Sequence, residues 1–130
     1  MAQKLTQEVG QWHQRTFPHA DAHRIALRIL REAVELARTA GNTEDNIRTA
    51  VAFELERFTP SDPLSSGVAD VGIGLMALSH RPEPAIDLIA SIRQRLEFNT
   101  QRDCTLTDTD FAAYRATRNR PNPEEEGSGG

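Results

Sequence analysis

The chain has 130 residues and a formal net charge of −4, from 15 basic and 19 acidic side chains. That length suits one domain with a core of its own, and the acidic balance leaves no basic footprint for nucleic-acid binding. Cys104 stands alone, which excludes an internal disulfide. No apolar run reaches the length of a membrane span and no signal-peptide core is present, so a soluble, cytoplasmic protein is expected.

The first predicted helix runs from about Lys4 to Thr16, with Leu5, Val9 and Trp12 at helical spacing, and Phe17-Pro18 ends it. Asp21 can cap a second helix, from about Ala22 to Ala40, that stops at Gly41. Its apolar set (Ile25, Leu27, Ile29, Leu30, Val34, Leu36) covers more than one face, which predicts a central helix touching several neighbours. Asn42 or Thr43 caps a third helix ending near Phe58. After the break at Thr59 to Pro63, a fourth helix begins at Pro63 or Leu64, with Asp62 as its cap, and continues to about His80. Gly67, Gly72 and Gly74 within it predict close packing against another helix, in the chain or across a subunit interface.

A fifth helix is expected from about Glu83 to Gln101, and a short one capped within Thr107 to Asp110 and ending near Thr117. No strand-like alternation and no internal repeat occur. The expected architecture is therefore all-α, a bundle of four to five helices over residues 1–120, followed by a polar tail at 121–130 with nothing to bury and no reason to order.

Three features carry chemistry. Glu32 and Glu35, in R-E-A-V-E-L, project from one helical face one turn apart. They can form a solvated stripe paired with Arg24, Arg28, Arg31 and Arg38, or share a divalent cation. Asp70 lies in V-A-D-V within the most apolar helix, where a carboxylate needs a partner, a proton or a metal. Arg95, Asn99 and Arg102, at i, i+4 and i+7, form a stripe of two guanidiniums and an amide. Acids on two helices and phosphate-type donors on a third are the parts needed to hold a magnesium–triphosphate. Fourteen of the 15 basic residues are arginine, a skew that codon composition accounts for, although the planar fork of arginine also suits phosphate.

With these motifs, from about Leu5 to Asp103, the chain resembles the MazG-like all-α nucleoside triphosphate pyrophosphohydrolases. That family carries E-E-x-x-E on one helix, E-x-x-D on a later one, and downstream a basic residue, an Asn four positions on and a basic residue three beyond. R-E-A-V-E matches at Glu32 and Glu35 with Arg31 in place of the leading acid. G-V-A-D matches at Asp70 with Gly67 in place of an acid, and R-L-E-F-N-T-Q-R matches at Arg95, Asn99 and Arg102. An aromatic helix before the first motif, here Q-W-H-Q-R-T-F-P, is also similar. The resemblance implies that Glu32, Glu35 and Asp70 bind Mg2+, for which Mn2+ can substitute, and serve catalysis. It implies that Arg95, Asn99 and Arg102 hold phosphates, and that Trp12 and His13 line a base pocket, although Trp12, with Leu5 and Val9 on its face, can equally be a core residue. The implied reaction converts a nucleoside triphosphate, deoxynucleotides above all, to the monophosphate and pyrophosphate. A homodimer or homotetramer is expected both from the resemblance and from the apolar surface that a wide apolar helix and a glycine-rich one leave open.

The two departures bear on activity. Water, or an acid such as Glu54, Glu56 or Asp62, can take the coordination position that Gly67 leaves. Alternatively, the scaffold binds nucleotide without hydrolysing it, or is a helical interaction module in which Glu32 and Glu35 pair with arginines. His19 and His23 straddle a predicted cap without a third ligand, Cys104 has no histidine partner, and neither a phosphate-cradling glycine loop nor G-x-S-x-G is present.

Overall fold

The computed structural model describes residues 2–60 and 62–118; the tail expected at 121–130 lies outside them. Among the described residues there are six α-helices and no strand: α1 (Ala2–Thr16), α2 (Ala22–Thr39), α3 (Glu44–Arg57), α4 (Leu64–His80), α5 (Leu88–Thr100) and α6 (Thr105–Arg118). The all-α expectation therefore holds. No helix among the described residues is long and apolar enough to cross a membrane.

The chain divides into two compact units. One, terminal in sequence, comprises Met1–Pro18 and Ile89–Gly130; the other, central in sequence, comprises His19–Leu88. In the terminal unit, Arg93 donates to the Glu8 carboxylate at 2.7 Å and so ties α5 to α1 across 85 residues of sequence. Among the described residues only Leu5 and Cys104 are buried, at 5% and 2% exposure, and both belong to this unit.

The central unit is built from α2, α3 and α4. α2 starts where the Asp21 carboxylate accepts the Arg24 amide at 2.9 Å, satisfying one of the donors a helix leaves open at its start. It ends in a Schellman motif: the Asn42 amide donates to Ala37 O at 3.0 Å and the Gly41 amide to Arg38 O at 2.9 Å. Gly41 takes φ +98°, a conformation that glycine adopts without a Cβ penalty. The Asn42 side chain also donates to Ala37 O, so this residue closes α2 and leaves Thr43 to cap α3 by accepting the Asn46 amide at 3.1 Å. α2 and α3 pack on each other across this turn.

Several expectations need correction. Asp62 does not cap α4: Pro63 occupies the cap position with extended ψ 157°, and no side chain accepts a hydrogen bond there. α5 starts at Leu88 rather than Glu83; Pro84 keeps Glu83 itself out of the helical region. α6 starts at Thr105, earlier than the Thr107–Asp110 cap, because the Asp103 carboxylate accepts the Thr105 amide at 3.0 Å and the Thr105 hydroxyl. The close packing expected at Gly67, Gly72 and Gly74 is not made within the unit, since a Cβ at any of them would meet no atom within 4 Å.

The expectation of a central, covered α2 is corrected as well. α2 buries no side chain, and Ile25, Ile29, Leu30 and Leu36 are exposed on it. α4 exposes Leu64, Val68, Val71 and Leu75, which recur at i, i+4, i+7 and i+11 along one stripe. A wide apolar helix needs an equally wide apolar surface facing it, and the three helices of this unit do not supply one to each other.

Candidate functional site

The acids lie in the central unit. Glu32 and Glu35 stand one turn apart near the middle of α2, both exposed. The Glu35 carbonyl accepts the Thr39 hydroxyl at 2.9 Å, a contact that leaves the carboxylate uncommitted. Among the described residues neither acid forms an ion pair, although α2 also carries Arg24, Arg28, Arg31 and Arg38. The stripe of local carboxylate–arginine pairs, one of the two readings of this pattern, is therefore not what α2 forms.

Asp70, in the first half of α4, is exposed. The reasoning that apolar sequence neighbours oblige Asp70 to have a partner, a proton or a metal fails, because Val68, Val71 and Ile73 are themselves exposed. Neighbours in sequence desolvate a helical carboxylate only when a second element covers their shared face. Among the described residues no group of three or more His, Cys, Asp or Glu side chains lies close enough to hold a metal ion. Glu32, Glu35 and Asp70 are thus not gathered into one ligand set by the single chain. Of the acids considered as replacements at Gly67, Glu54 is engaged by Arg57 at 3.2 Å, which itself lies over the Phe53 ring at 5.3 Å.

The phosphate-type donors lie in the terminal unit. Arg95 and Asn99 are on α5, but Arg102 falls beyond its last residue, Thr100. The stripe is completed by a turn instead of a helix: Gln101 donates its amide to Phe98 O at 3.2 Å and Arg102 to Asn99 O at 3.4 Å. Buried Cys104 donates its thiol to the same Asn99 carbonyl at 3.6 Å. The Asn99 Oδ1 is buried without a hydrogen-bond partner, so an incoming phosphate, itself an acceptor, could be met only by the Nδ2 donors. Among the described residues neither Arg95 nor Arg102 has a carboxylate partner. Both guanidiniums instead stack on Phe98, with Cζ at 4.7 Å and 5.0 Å from the ring centroid.

Trp12, half-buried on α1, meets Phe17 edge-to-face at 6.0 Å and 89°, and His13 at 6.1 Å and 72°. His13 and Phe17 are 5.0 Å apart. The end of α1 therefore carries an aromatic cluster, seated where Thr16 and Phe17 bond back to the Trp12 and His13 carbonyls.

Two features were not singled out in the sequence. Phe98 reads there only as an apolar helix position, although R-x-x-F-x-x-x-R is spacing at which both arginines can reach one ring. The second is a depression lined by Val34, Arg38, Glu44, Ile47 and Arg48 beside the α2–α3 turn. There Arg48 donates to one Glu44 oxygen through Nη2 at 2.7 Å and Nε at 2.9 Å. This hydrogen bond and the Arg48 charge hold the Glu44 carboxyl below the ordinary glutamate range. The i, i+4 spacing is the available signal for it.

Compared with protein-family models, with curated proteins and with solved structures, the chain has no match. The class that fold and site define is thus an all-α protein with uncompensated acids in one unit and uncompensated arginines in the other.

Proposed function

We propose that this protein is a metal-dependent nucleoside triphosphate pyrophosphohydrolase of the MazG-like type. It would cleave the bond between the α- and β-phosphates of a (deoxy)nucleoside triphosphate with one water, giving the monophosphate and pyrophosphate. The observation that carries the reading is charge left uncompensated: Glu32 and Glu35 decline the arginines of their own helix, and Arg95 and Arg102 have no carboxylate among the described residues. Side chains that remain unpaired on a chain this rich in both signs are available to a ligand bearing both, such as a metal–triphosphate.

The donor chemistry fits magnesium. That hard cation takes oxygen ligands, and one or two carboxylates with waters and substrate phosphates suffice to hold it. Glu32 and Glu35 supply such a pair, and Asp70 is assigned as the third acid. When bound, the ion supplies polarised phosphoryl oxygens and a bound water of lowered pKa. Arg95 and Arg102 would take phosphate charge through planar guanidiniums, Asn99 would donate from Nδ2, and Trp12 would give the base a flat wall. A homodimer or homotetramer belongs to the proposal, supported by the apolar stripes of α2 and α4 that face no helix of their own unit.

The test is pyrophosphate release from each common NTP and dNTP with Mg2+, with Mn2+ and with chelator. Metal-dependent release from at least one is expected, and Glu35→Ala should lower it by about a hundredfold or more. Unchanged turnover in that variant would remove the acids from the site. A second reading, a nucleotide-binding protein that no longer hydrolyses, is favoured by Gly67 at an acid position and by the lack of a three-ligand group among the described residues. Nucleotide binding with no pyrophosphate release from any substrate would select it.

A further inference from the structure

Two positive side chains share one aromatic ring at the end of α5. Arg95 and Arg102 lie three residues before and four after Phe98, and both guanidinium carbons are within 5.0 Å of its centroid. Like charges brought to one ring repel each other. The ring's negative faces offset only part of that repulsion, and no carboxylate among the described residues offsets the rest. Phe98 is half-exposed, so burial does not account for its position. The turn that carries Arg102 is itself fastened, through the Arg102 amide and the Cys104 thiol on the Asn99 carbonyl.

We propose that Phe98 is a positioning residue that holds the Arg95 and Arg102 guanidiniums as a preformed clamp for a polyphosphate chain. The inference rests on the phosphate-binding reading of these arginines and adds to it the group that orders them. Without the ring each long side chain would be ordered only when the ligand arrives, and that ordering would be subtracted from affinity. A chain of linked phosphates suits the clamp better than a single phosphate, because charge on successive phosphates can meet both guanidiniums at once.

The experiment measures binding of inorganic tripolyphosphate to the full chain by calorimetry, for the wild type, Phe98→Leu, Phe98→Trp and Arg95→Ala, with the melting temperature of each. Phe98→Leu should weaken binding about five- to tenfold, the scale of lost cation–π contacts. Phe98→Trp, which keeps an aromatic face, should bind within about twofold of wild type, and neither melting temperature should move appreciably at a half-exposed site. Wild-type affinity in Phe98→Leu, with Arg95→Ala weakened, overturns the clamp and leaves the phosphate site standing. Equal losses in Phe98→Leu and Phe98→Trp also overturn it, since the aromatic face would then not matter. No binding by the wild type, or none lost in Arg95→Ala, overturns the phosphate reading and the clamp with it.

Discussion

The two units of this chain are held by different means. The terminal unit has the two side chains that are buried among the described residues, Leu5 and Cys104, and an ion pair between residues 85 apart. The central unit has the most completely capped helix, α2, and the tight α2–α3 turn, yet among the described residues it buries no side chain and exposes apolar residues on all three helices. Capping and propensity define where a helix begins and ends, but a helix in water draws most of its stability from covering an apolar face. The central unit thus has well-defined helices whose apolar faces are only partly covered, and the proposed second copy is what would cover the rest.

That contrast can be broken or sharpened at three places. The largest effect is expected from Val68→Asp, on the α4 stripe where Val68 is 62% exposed. In an isolated chain a charge there costs almost nothing. In the proposed oligomer it places a carboxylate in an apolar contact, so sedimentation should show dissociation to the monomer. A wild type that already sediments as a monomer breaks the comparison from the other side. Next comes Leu5→Ala in the terminal unit, expected to cost about 3 kcal/mol in denaturant unfolding, because the removed methyl groups leave a cavity. A cost near zero would mean that Leu5 is no core residue.

The smallest effect concerns acid. Glu44 has its carboxyl held down by Arg48, so the folded state binds its proton less readily than the unfolded chain does. Its contribution is therefore complete above about pH 5, the upper edge of the ordinary glutamate range, and is lost as pH falls through the lowered folded value. The pair is fully solvated, so Glu44→Gln should change stability little at neutral pH and flatten the acid limb slightly in a pH series of melts. A steeper acid limb in the variant would reverse the sign assigned to the pair.

Much of the local architecture was legible. Asp21, Gly41 and Thr43 act at the ends the sequence proposed for them, since caps and positive-φ glycines answer to backbone groups only a few residues away. The start of α5 falls at Leu88 and not at Glu83, the residue that Pro84 keeps out of the helical region. For the candidate site, the helical placement of Glu32 and Glu35 could be read, as could the spacing of Arg95 and Asn99. The exposure of Asp70 could not, because V-A-D-V reads as a buried environment only if something packs on it.

By itself, then, the sequence determined the all-α class of the chain and most of the proline, glycine and polar caps that punctuate its helices, though it proposed four to five helices where six are found among the described residues. Each of these is decided by interactions spanning a turn or two of helix. Tertiary structure alone decided that Leu5 and Cys104 are the buried side chains among the described residues, that Glu8 meets Arg93, and that the apolar stripes of α2 and α4 stay open. Those outcomes depend on which surfaces meet across long stretches of chain, and no local hydrogen bond or rotamer preference encodes that meeting.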